Sequence, residues 1–161
     1  MTTQNVIAAP AVADPISAGW GNQVAGNLAL PVWANLPLTA NWVPYGGAFG
    51  VPAYWMDCFG RVYLRGLVKN TTGALQGINV IFATLPVGFR PLVQRIHPAT
   101  CGVNNTPGGN GPCRLDIFAA DGSLRIGAFM TGSFGATGAQ DTGVPNGAHI
   151  SLDGISFETL S

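Results

Sequence analysis

From Trp42 onward, hydrophobic and polar residues alternate with a period of two along much of this chain, the pattern of strands with one buried and one wet face. Across 61–69, Val62, Leu64 and Val68 fall on one face while Arg61, Tyr63, Arg65 and Lys69 fall on the other. This predicts a half-buried antiparallel strand in which Gly66 marks a bulge or a close backbone contact. Leu115, Ile117 and Ala119 alternate with Arg114, Asp116 and Phe118. After Asp121 and Gly122 the alternation resumes, with Leu124, Ile126 and Ala128 set against Ser123, Arg125 and Gly127. An Asp-Gly pair between two alternating runs predicts a hairpin. Residues 79–85 and 149–157 read as further strands. A fainter one covers 54–58 and buries Cys58. Residues 99–113 and 132–147 are polar, Gly-rich and nearly uncharged, as expected of surface loops. Short strands punctuated by Gly and Pro turns predict an all-β fold, an antiparallel β-sandwich or jelly-roll-like head.

Residues 1–40 follow a different pattern, and the chain divides into this N-terminal arm and a head over 41–161. Asp14 suits a helix N-cap and Pro15 the first helical position. Ile16, Trp20, Val24 and Leu28 then recur every fourth residue, roughly one stripe of a short helix. Gly19, Gly21 and Gly26 interrupt it, each costing up to about 1 kcal/mol relative to Ala, so the segment needs a packing partner to be helical. The stripe is expected to be an oligomerising or anchoring surface.

Composition sharpens this picture. Charged residues make up only 9% of the chain, and seven Lys and Arg balance seven Asp and Glu. A neutral, charge-poor surface provides little mutual repulsion, which suggests a chain that hides surface in an assembly. No apolar run approaches the roughly 18 residues that would cross a bilayer. The first residues lack the basic and apolar regions of a signal peptide. Synthesis and retention in a cytosol until release, without membrane insertion, are therefore expected.

Candidate chemistry is sparse. The two histidines, His97 and His149, are too few for a His-rich metal site within one chain. The three cysteines cannot all pair within it. Cys101 and Cys113 bound a Gly- and Pro-rich stretch; free thiols are the default, and a disulfide is the alternative if their Cβ atoms approach within about 4.5 Å. Asp57, Asp116, Asp121, Asp141, Asp153 and Glu158 are dispersed, and Asp121 and Asp153 each precede a glycine in a turn context. Arg61, Arg65 and Lys69 share a face with Tyr63, but a neutral chain has no field to steer a polyanion. No catalytic residue, metal, cofactor or nucleic-acid partner is expected.

Four segments in order, RVYLRGLV at 61–68, LPVGFRP at 85–91, LDIFAADGS at 115–123 and ISLDGISF at 150–157, together with NW at 41–42 and YGG at 45–47, resemble the heads of tailed-bacteriophage virion surface proteins. These are capsid decoration (cement) proteins and tail-fibre tips. The resemblance implies a homotrimeric β-sandwich at the virion surface, without catalytic residues, assembled in the host cytoplasm. The arm of only about forty residues favours a decoration protein that stabilises the shell by clamping the major capsid protein. The alternative is a fibre or tail-subunit tip that contacts a host surface receptor.

Overall fold

The computed structural model describes residues 31–72, 79–103, 111–129, 144 and 146–159. The proposed arm residues Ile16, Trp20, Val24 and Leu28 lie outside them, as do residues 104–110 of the first expected loop and 132–143 and 145 of the second. Among the described residues there are eleven strands and no helix. They are β1 (Ala34–Asn35), β2 (Trp42–Pro44), β3 (Ala53–Met56), β4 (Arg61–Arg65), β5 (Leu67–Asn70), β6 (Val80–Thr84), β7 (Arg95–Val103), β8 (Gly111–Ile117), β9 (Ser123–Phe129), β10 (Ala148–Ser151) and β11 (Ser156–Glu158). They form a four-stranded sheet in the order β1-β3-β4-β11 and a seven-stranded sheet in the order β2-β5-β10-β7-β8-β9-β6. The named pairings are all antiparallel, and the fold class is the β-sandwich that the alternation predicts.

One core lies between the sheets. Val62 and Leu64 from the small sheet meet Val68, Phe82, Leu115, Ile117, Leu124, Ile126 and Ile150 from the large one, each of them at most 3% exposed. The hairpin predicted around Asp121 and Gly122 forms as β8 and β9, with a register shift between Arg114 and Leu115. β1 and the buried Leu36 belong to this sandwich, so the head begins inside the segment read as arm.

Two runs read as single strands are each divided between the sheets. The run 61–69 breaks at Gly66 into β4 of the small sheet and β5 of the large one. The run 149–157 breaks at Asp153 and Gly154 into β10 and β11. Because β4 pairs with β11 and β5 with β10, the two runs form one ribbon that bends across both sheets. β2 and β3 follow the same course beside it, pairing with β5 and β4 respectively. Strands that switch sheets at a bend are how sandwich corners are made. Here the corner is tied by hydrogen bonds from Gly66 N–H to Asp153 Oδ1 (2.8 Å) and from Leu152 N–H to the Gly66 carbonyl (2.9 Å).

Two other expectations are corrected. The described residues of 99–113, namely 99–103 and 111–113, are strand rather than loop, since β7 pairs with β8 from Arg95↔Ile117 to Cys101↔Gly111. Pro98 and small residues mask its alternation. Pro98 is tolerated beyond the 101–103 stretch that pairs with β10, where one side of β7 has no partner strand among the described residues. Cys58 is exposed rather than buried. It sits in the tight turn between β3 and β4, where Asp57 Oδ1 accepts from the N–H groups of Phe59 and Arg61 at 2.9 Å each, an Asx-type turn.

Candidate ligand cleft

The corner forms a cleft of about 300 Å³ among the described residues. That volume is at the small end of the range for ligand pockets. All three crossings contribute to it. Residues 45–50, between β2 and β3, supply Tyr45, Phe49 and Gly50; Leu67 follows Gly66; Ser151 and Asp153 flank the third crossing. Thr100 of β7 and His149 of β10 complete the lining. Leu67, Ser151 and Thr100 adjoin the buried Val68, Ile150 and Cys101 along their strands. Their side chains therefore lie on the outer face of the seven-stranded sheet, as strand alternation requires.

Packing holds the wall in place. Tyr45 N–H donates to the Leu67 carbonyl at 2.9 Å. Its ring meets Phe49 edge to face at a centroid distance of 4.9 Å and His149 at 5.4 Å. The Lys69 ammonium lies 5.5 Å from the Tyr45 ring centroid, within cation–π range. Phe49 remains 56% exposed. Asp153 is exposed and fixed: Oδ1 accepts from Gly66 N–H, while Oδ2 lies 3.5 Å from Ser151 Oγ, the outer limit of a hydrogen bond. An exposed ring, hydroxyls and an oriented carboxylate together suit a hydroxyl-rich ligand. The aromatic face covers C–H surface, and the polar groups exchange hydrogen bonds.

The remaining candidate residues go elsewhere. His97 points inward, 6.4 Å from Phe157 ring to ring; burial and then the nearby Arg95 charge hold its imidazole below the ordinary value. His149 reaches the cleft wall, but its Nδ1 is buried without a hydrogen-bond partner among the described residues. Cys101 and Cys113 are buried thiols on adjacent strands, and the considered bridge is not formed. Cys101 Sγ donates to the Gly111 carbonyl at 3.3 Å. Its contact with Cys113, followed by burial, pushes the Cys113 thiol up, and the same contact lowers that of Cys101.

The described carboxylates outside the cleft are taken by structure. Asp57 caps its turn and accepts from the Tyr63 hydroxyl at 3.0 Å. Asp116, 1% exposed, holds Arg114 through two bonds of 2.8 and 2.9 Å. Asp121 binds Ser123 and Arg125, and Glu158 binds Arg61. No group of three or more His, Cys, Asp or Glu among the described residues is arranged to hold a metal.

The basic row read from 61–69 separates because its strand crosses the corner. Arg61, Tyr63 and Arg65 lie on the small sheet and Lys69 on the large one. On the small sheet an aromatic ladder runs from Trp33 to Trp55 (6.1 Å) to Tyr63 (5.2 Å, stacked), with the Arg65 guanidinium 4.1 Å from the Trp33 ring centroid. Stacked rings on neighbouring strands stabilise a sheet. Ala53, facing outward between them, is only 2% exposed.

Sequence reasoning missed the cleft. In the sequence Asp153 reads as a turn residue and His149 as the first residue of a strand, and nothing in spacing joins 45–50 to 149–153.

No family model matches this chain, and neither does any curated protein sequence. Two solved structures share its fold. The receptor binding protein gp15 of Listeria phage PSA superposes with a TM-score of 0.61 at 15% identity, covering 89% of this chain and 73% of its own. The head domain of lactococcal phage bIL170, from the receptor-binding domains of such phages, superposes with a TM-score of 0.51 at 19% identity, covering 81% of this chain and 99% of its own. At these identities the likeness establishes a common sandwich fold.

Proposed function

We propose that this chain is a bacteriophage tail protein of the receptor-binding type, exposed on the virion, whose head contacts the host surface through the corner cleft. The observation that carries the reading is that cleft. It is an outward-facing, pre-formed concavity that combines an exposed aromatic ring with an oriented carboxylate, on a fold shared with two phage receptor-binding structures. Both neighbours favour a tip over a capsid decoration protein, the other role that the sequence resemblance suggests. The deciding measurement is copy number per particle relative to the major capsid protein. A few trimers' worth is expected, and hundreds of copies would overturn the reading in favour of shell decoration.

The N-terminal stripe of Ile16, Trp20, Val24 and Leu28 serves in this reading to bring three chains together and anchor them to tail subunits. Light scattering at micromolar concentration is then expected to give a three-chain mass for the full chain and a one-chain mass for a chain starting at Pro31. A monomeric full chain would remove the trimer from the proposal.

A further inference from the structure

The charge and hydrogen-bonding capacity of the cleft restrict what it admits, and this inference rests on the receptor-binding reading above. Asp153 is the one side chain of formal charge that lines it, and no Lys or Arg does. Lys69, on the adjacent strand, has its ammonium over the Tyr45 ring and is not part of the lining. We propose that the cleft takes a hydroxylated ring bearing an ammonium group, as in a hexosamine unit of an envelope polysaccharide, in preference to a neutral ring, and excludes a phosphate-bearing one. Asp153 is the specificity-determining residue.

The geometry supplies the reasons. A carboxylate only accepts hydrogen bonds. One oxygen of Asp153 is occupied by Gly66 N–H at 2.8 Å, which prevents the group from swinging away. The other oxygen has only a 3.5 Å contact with Ser151 and so retains capacity for a donor. An ammonium satisfies it with a charge-assisted bond, stronger than that of a neutral hydroxyl. Beside it the exposed Phe49 ring attracts cations through its quadrupole and covers the C–H face of a sugar. A phosphate group brings further acceptors and negative charge to a wall that already carries both, and like charge set against like is how a site rejects the wrong ligand.

The test is titration of the full chain with glucosamine, glucose and glucose 6-phosphate at millimolar concentrations, monitored by the NMR signals of Phe49 and His149. Glucosamine is expected to bind about tenfold more tightly than glucose, and glucose 6-phosphate not to saturate. Asp153→Asn keeps an oxygen acceptor for Gly66 N–H, so the corner should hold; an unchanged melting temperature would establish that. In this variant the preference for glucosamine should disappear and the phosphate should bind as well as glucose. Phe49→Ala should weaken all sugar binding. If the wild-type chain binds glucose 6-phosphate as tightly as glucose, the charge inference falls and the cleft reading survives. If no sugar perturbs the cleft, both fall.

Discussion

Replacing Gly66 with alanine is expected to lower the stability of the head by about 3 kcal/mol or more, and its melting temperature by roughly 10 °C. A Cβ at this position would lie 2.6 Å from the Val51 carbonyl oxygen and 2.7 Å from Pro52 N. These are backbone atoms of the adjoining crossing and cannot rotate away. The residue also has φ +94°, a conformation that costs an L-residue about 1–2 kcal/mol. Relief would require separating the two crossings, which strains the hydrogen bonds from Gly66 N–H to Asp153 and from Leu152 N–H to Gly66.

Gly154→Ala isolates the steric contribution. Gly154 has φ +83° but no atom within 4 Å of the added Cβ, so only the conformational cost of about 1–2 kcal/mol applies. Equal losses for the two variants in chemical denaturation would mean that the close approach at Gly66 contributes nothing.

The second large effect is expected at Phe82. This residue is fully buried and lies at the register shift of β6 between Ile81 and Ala83; alternation from the exposed Ile81 turns its ring inward, and the bulge lets Ala83 face inward as well. The ring sits 5.5 Å from that of Trp42. The Phe82 carbonyl accepts from Thr39 N–H at 3.0 Å, which ties the segment before β2 to the far edge of the large sheet. Phe82→Ala removes the buried ring and leaves a cavity, at a cost of about 3–5 kcal/mol. Phe82→Leu refills much of that space and should recover about half of the loss. Equilibrium unfolding measures both. A loss below about 1 kcal/mol for the alanine variant would show that the sheets close over the space and that the ring is not a keystone of the core.

Much of the sandwich can be read directly from residue order. The β8–β9 hairpin follows from two alternating runs around Asp121 and Gly122, because a tight turn and a matched period leave little choice of register. β6 and the inward set of Val62, Leu64 and Val68 follow from the same alternation. β7 is hidden because Pro98, Gly102 and the small Ala99 and Cys101 dilute its pattern, although its pairing with β8 and β10 overrides that composition. Cys58 was misplaced by extending the alternation of β3 two residues into a turn that Asp57 caps.

The division of 61–69 between sheets has a simpler cause than that of 149–157, where the buried positions shift from Ile150 and Leu152 to Ile155 and Phe157 across Asp153 and Gly154. Both sheets of a sandwich face the same core, so a strand that leaves one sheet and enters the other can keep its inward and outward parity. Val62 and Leu64 are buried from one sheet and Val68 from the other, yet their spacing is that of one uninterrupted strand. Gly66 is the one local sign, and a glycine in a strand is equally consistent with a bulge.

The amino-acid sequence by itself thus determined the all-β class, the inward faces of most strands and the Asp-Gly hairpin, since these depend on interactions between near neighbours. Tertiary structure alone decided where strands change sheets, that Phe49, Thr100, His149 and Asp153 share one cleft, and that Asp153 is oriented by Gly66. Those arrangements arise from contacts between segments about fifty to a hundred residues apart, and a local period of two carries no information about which distant segment a face will meet.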